Sequence, residues 1–236
     1  MIWWGTIMLP KAMYGFCQYD KMKYLPLNRL VIAFLLIFIG VASRIWLHGF
    51  LPPSPHIYVN LAGTKQPIFM PADVFFIIAA ISLVARRYLG NYYSFFVPFL
   101  IMLITDVFIG NNYIFLFTWS GFAILGCMGY LMQSKNFGKF ILYGISSILV
   151  YDIWTNFGWW LGGYYGYSLH GFILCYLMAI PFTIWHLIST MAILPLFAIP
   201  FEKIELINEK SVIGKYATIS STALLMIFSL LPLLPE

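Results

Sequence analysis

Asp152, Asn156 and Trp159 are spaced i, i+4, i+7 inside the stretch Tyr151–Trp160. At 100° per residue they share one face of a helix. A carboxylate, an amide and an indole on one stripe can accept a cation or an N–H group, exchange hydrogen bonds with a polar molecule, and stack on a planar ring. The stripe lies in the second half of a hydrophobic run from Phe140 to about Gly163. A run of that length crosses a bilayer as a helix, which takes roughly 20 apolar residues. Polar groups inside such a span face the bundle interior or a watered cavity. The plainer alternative is interhelical hydrogen bonding plus an interfacial tryptophan belt.

Other residues with chemistry in them gather at the same depth. Arg44 and His48 end the first apolar run, and Asn60 lies in the loop that follows. Asp106 is near the end of the third run, Asn111-Asn112 form the turn after it, and Trp119 is in the near half of the fourth. Tyr176, Thr183 and His186 fall at i, i+7, i+10 on the sixth and are expected on one face, with Pro181 freeing the Leu177 carbonyl. Arg44 suits an anionic or carbonyl group, and Asp106 or Asp152 suits a cation or N–H donor. Trp119, Trp154, Trp159 and Trp160 offer stacking surface, although Trp159 and Trp160 point about 100° apart. Arg44 and Asp106 could equally neutralise each other as a structural ion pair. Asp73, in a first helical turn after Pro71-Ala72, reads as a cap and not as a ligand.

The elements that must position these groups are membrane helices. Of 236 residues, 62% are hydrophobic and 9% charged, and the mean hydropathy is +0.88. A polytopic all-α membrane protein is expected. The runs are Leu30 to about Leu47, about Ala72 to Val84, Tyr92–Ile109, Tyr113–Met132, Phe140–Gly163 and Phe172 to about Ile193. Pro195 and Pro200 are expected to break the sixth. Tyr216–Leu234 is a candidate seventh helix that crosses or lies along the surface. The chain therefore divides into an N-terminal interfacial or cytoplasmic segment, 1–28, a six-helix membrane domain, 29–200, and an amphipathic connector with a C-terminal hydrophobic segment, 201–236. The loop 49–70 is the one long connection of the core, rich in proline, and reads as a lid or binding loop.

Charge sets the orientation. With the N-terminus inside, Lys11, Lys21, Lys23, Arg29, Arg86, Arg87, Lys135, Lys139, Lys203, Lys210 and Lys215 are cytoplasmic, and only Arg44 and Lys65 lie outside. Eleven against two is a strong positive-inside bias. A cell-membrane protein with a pocket opening outward is expected.

Several chemistries have no motif. There is no GxxxxGK[ST], HExxH, CxxC or GxSxG. The three cysteines are dispersed, and no two of His48, His56, His170 and His186 have ligand spacing on a helix. No catalytic residue, metal or cofactor is expected. The basic residues are spread among short loops, which does not point to nucleic acid.

Arg44, the Pro/His/Asn loop, Asp106, the stretch Asp152–Trp160 and the stretch Cys175–His186 together resemble an uncharacterised prokaryotic membrane family. That family is related in fold to the substrate-binding S components of energy-coupling factor transporters. The resemblance covers about residues 30–200. It implies a six-transmembrane-helix bundle of S-component type and a vitamin-like ligand near the outer face, under the first loop. It also implies transport with a separate coupling subunit and an ATPase pair. The expected function is thus a substrate-binding membrane subunit for uptake of a small organic micronutrient. Its small-molecule site would draw on Arg44, His48, Asn60, Asp106, Asn112, Trp119, Asp152, Asn156, Trp159, Tyr176 and His186. The alternatives are a self-sufficient secondary carrier or channel, separable by accumulation without partners, and a non-transporting membrane assembly protein, which would retain no small molecule.

Overall fold

The structure, a computed structural model, describes residues 26–47, 57–68, 76–90, 92–110, 114–128, 136–202 and 212–230. Among these described residues there are seven α-helices: α1 (Pro26–Ala42), α2 (Ile77–Val84), α3 (Tyr93–Ile109), α4 (Phe115–Met128), α5 (Phe137–Leu161), α6 (Leu169–Glu202) and α7 (Val212–Leu230). The shortest of them is the hub. α2 packs against α1, α3, α4, α5 and α6, and every side chain from Ile78 to Val84 is buried. A helix apolar on all sides has no solvent face and belongs in a core. Around it α1 lies on α3, α3 on α4, α4 on α5, and α5 on α6. α2 continues through Leu89 as a wider i→i+5 turn that buries Arg86, one of the residues the charge count assigned to the cytoplasmic side.

Small residues let these helices approach. A Cβ on Gly126 would stand 2.3 Å from the Ser94 carbonyl oxygen, and one on Gly121 would stand 2.8 Å from Tyr151 Cδ2. The second contact seats Tyr151, the neighbour of Asp152, against α4.

Among the described residues, three helices are long and apolar enough to cross a membrane: Arg29–Leu47, Phe137–Leu161 and Leu169–Phe201. α3 and α4 are shorter apolar helices. Phe34, Phe38, Val107, Phe108, Leu142 and Ile153 are exposed on the outside, the arrangement expected where hydrocarbon is the solvent.

Two expectations are corrected. α6 does not end before Pro195 but runs through both Pro195 and Pro200. Leu194, just before Pro195, and Ala198, between the two prolines, are fully buried, so packing holds the turns whose backbone bonds the prolines remove. The loop 49–70 is also not irregular throughout, because Tyr58–Leu61 (β1) and Thr64–Pro67 (β2) form an antiparallel hairpin. Its turn residues Ala62 and Gly63 both have positive φ, 49° and 84°, which suits the right-handed twist of a two-residue hairpin loop.

The C-terminal apolar segment does not lie across the end of the bundle. Ser120 faces Ser229 at 3.0 Å, and Cys127 faces Thr222 at 3.1 Å, so α7 runs antiparallel along α4. The N-terminal residues 1–25, the proposed cap Asp73 and the connector residues 203–211 lie outside the described residues.

Candidate functional site

The i, i+4, i+7 stripe of α5 faces inward, where Asp152, Asn156 and Trp159 all line one cavity of about 490 Å³. Roughly 300–1,000 Å³ is the usual range for small-molecule sites. Other parts of the wall come from the wider turn Ser43–Leu47 after α1 through Arg44, from α2 through Ile77 and Ile78, from α4 through Thr118 and Phe122, and from α6 through Cys175, Met178 and His186. Phe76, at the start of α2, completes this side.

Asp152 is 4% exposed. Its Oδ1 lies 2.7 Å from His186 Nδ1, whereas Oδ2 is buried and has no hydrogen-bond partner among the described residues. Asn156 donates from Nδ2 to the Asp152 main-chain carbonyl at 2.7 Å, one turn back, which fixes the amide and leaves Oδ1 as its acceptor. Phe76 stacks on the His186 ring with centroids 4.0 Å apart and planes at 17°. Phe76 also leans on Tyr151 and Phe122, and its main-chain N–H donates to Ser189 Oγ at 2.6 Å. The imidazole is therefore held by a ring on its face and a carboxylate at its edge.

Arg44 and Asp106 form an ion pair, the structural alternative raised from sequence. Arg44 Nη1 donates to Asp106 Oδ1 and to Thr105 Oγ1. Trp119 Nε1 donates to the other oxygen, Oδ2, at 2.6 Å. Asp106 is thereby fully used and does not line the cavity, and Trp119 sits behind the pair, edge-on to Phe99 and Phe115. Arg44 reaches the cavity wall with its charge already matched.

Two more expected groups go elsewhere. Tyr176 points away from His186 and donates to the Ile153 carbonyl at 2.9 Å, in an apolar groove between α5 and α7. The reason is angular: ten residues along a helix is 80° short of a whole number of turns, enough to put His186 inside and Tyr176 outside. Asn60 pairs with Lys65 on the exposed face of the hairpin. Cross-strand partners share a face, so the neighbouring pair Val59 and Gln66 turns the other way, and Gln66 lines the cavity. His48 and Asn112 lie outside the described residues.

The hairpin end is tied to α6. Trp185 Nε1 donates to the Ile68 carbonyl at 2.6 Å, and Gln66 Nε2 donates to the Met178 carbonyl at 3.4 Å. Tyr165, in the turn between α5 and α6, also lines the cavity. Burial pushes its hydroxyl above the ordinary range, and the Cys175 thiol adds to this, so it stays a protonated donor at neutral pH.

Sequence reasoning missed Gln66, Phe76, Thr155 and Tyr165. Thr155 was within reach, since it sits beside Asn156 and three residues from Asp152. Gln66 needed the hairpin register, and Phe76 needed the tertiary stack. Among the described residues, no group of three or more histidine, cysteine or acidic side chains could hold a metal.

Residues 25–212 of the chain match a family of unknown function, DUF6580, and the chain belongs to it. No curated protein and no solved structure matches the chain.

Proposed function

Because this family carries no assigned function, we propose one from the site: the protein is a substrate-binding membrane subunit that captures a small organic micronutrient, such as a vitamin. The observation that carries this is Asp152, a residue that lines the 490 Å³ cavity and whose buried carboxylate oxygen Oδ2 has no partner among the described residues. An unmatched buried polar atom is costly and is retained where something else satisfies it. Aromatic walls from Phe76, Phe122, Tyr151 and Trp159 suit a planar molecule. The same stretches of α5 and α6 carry the resemblance to S components, which extends the proposal to a six-helix S-component bundle with α7 added outside. In that arrangement the N-terminus is cytoplasmic, the cavity opens outward beneath the hairpin, and uptake requires a coupling subunit with paired ATPases.

Reconstitution tests this. The purified protein alone in liposomes should bind its ligand without accumulating it. Accumulation driven by an ion gradient, with no other protein present, would establish a self-sufficient carrier instead.

A further inference from the structure

Resting on the reading of the cavity as a small-molecule site, we infer that its ligand is a flat ring that presents an N–H donor, neutral or cationic, to Asp152 Oδ2, and that carboxylate ligands are disfavoured there. The polar atoms of the wall divide by what they have left to offer. Asn156, Gln66 and Cys175 each turn a donor hydrogen to a main-chain carbonyl, those of Asp152, Met178 and Asn156 respectively. The cation Arg44 is matched by the carboxylate of Asp106 behind it. The 2.7 Å contact between His186 Nδ1 and Asp152 Oδ1 shares one hydrogen and so occupies that oxygen. The Tyr165 hydroxyl and the second amide hydrogens of Asn156 and Gln66 remain as donors, but the buried side-chain polar atom of the lining that has no hydrogen-bond partner among the described residues is an acceptor, Asp152 Oδ2.

The shape argues for a ring. Phe122, Tyr151 and Phe76 form a continuous aromatic wall, with centroid distances from 4.8 to 5.7 Å. Trp159 lies on the same α5 stripe as Asp152. A planar amidine, amide or N–H heteroaromatic can lie against these faces and put its donor edge on the carboxylate. An isosteric carboxylate brings negative charge to an unmatched oxygen of the same sign.

Three isosteric probes separate the possibilities: benzamidinium, benzamide and benzoate, titrated near neutral pH against the full-length protein in nanodiscs by ligand-observed saturation-transfer NMR. Benzamidinium should bind at least about tenfold more tightly than benzoate, the scale of one charge-assisted hydrogen bond, with benzamide between them. In a folded Asp152→Asn protein the preference for benzamidinium should collapse. If that variant does not fold, the wild-type ranking decides alone. Benzoate equal to or tighter than benzamidinium, and lost in Asn156→Leu, would overturn the ligand class while leaving the cavity a binding site. A benzamidinium preference untouched by Asp152→Asn would overturn the assignment to this carboxylate. Binding of none of the three would overturn the ligand class, and the cavity itself is judged separately by the small molecules that the purified protein retains.

Discussion

Removing Asp106 should damage the fold, and removing Arg44 with it should repair most of the damage. Asp106 is 5% exposed and accepts from Arg44 on one oxygen and from Trp119 on the other. Deleting one member of a buried ion pair leaves an uncompensated charge and costs about 3–5 kcal/mol. The Arg44 side chain keeps 27% of its exposure, so water relieves part of this and the lower end, about 3 kcal/mol, applies to Asp106→Leu. Arg44→Met strands the carboxylate with the indole alone and should cost about the same. If the two acted independently, the double variant would lose about 6 kcal/mol. With both charges gone, what remains is the unpaired Trp119 N–H and some repacking, about 1–3 kcal/mol. Arg44→Met/Asp106→Leu should therefore be more stable than either single variant, or equal to it, with a coupling of at least about 3 kcal/mol. Denaturant unfolding in micelles, followed by tryptophan fluorescence, reads all four proteins. Additive losses would refute the pairing and return Arg44 and Asp106 to the list of groups free to hold a ligand.

The proposed orientation predicts that a cysteine replacing Lys65, on the exposed hairpin face, reacts with an impermeant reagent in intact cells of a cysteine-free strain of the protein, while one replacing Lys139 stays silent; the reverse pattern would invert the topology. Ala62 sits at φ 49°, where an L side chain with a Cβ costs about 1–2 kcal/mol and asparagine is better tolerated, so Ala62→Asn should slow amide exchange across Tyr58–Pro67. Faster exchange there would show that the turn is not strained. Gly121→Ala should push Tyr151 off its seat and destabilise by about 1–3 kcal/mol, with weaker ligand binding, because the new Cβ would stand 2.8 Å from the ring. Unchanged stability and affinity would mean that the ring has room to move.

The Asp152 stripe was legible because helical period alone decides which residues share a face, and nothing tertiary intervened. The pairing of Arg44 with Asp106 was visible as one of two options. What decides it is the indole of Trp119 taking the second oxygen, and a contact between α3 and α4 leaves no periodic trace. Grouping Tyr176 with His186 failed because ten residues is not close enough to three turns. α2 was hard to see as the hub, since a helix buried on all sides shows no amphipathic face and its apolar stretch is short. Pro195 and Pro200 were weighed by local backbone chemistry, whereas the buried Leu194 and Ala198 decide the outcome by packing. Gln66 is on the cavity only through the Val59–Gln66 register, which the isolated Gly63 could not specify.

The central claim is that the cavity beside Asp152 holds a small organic molecule. Native mass spectrometry of the wild-type protein, released gently from membranes, tests it most directly. A bound small molecule should be present on the wild type, and it should be absent or much reduced on folded Asp152→Asn and Asn156→Leu but retained on Leu149→Ala, whose side chain faces outward. A wild-type protein that carries nothing, or the same molecule retained equally by all four proteins, would contradict the claim.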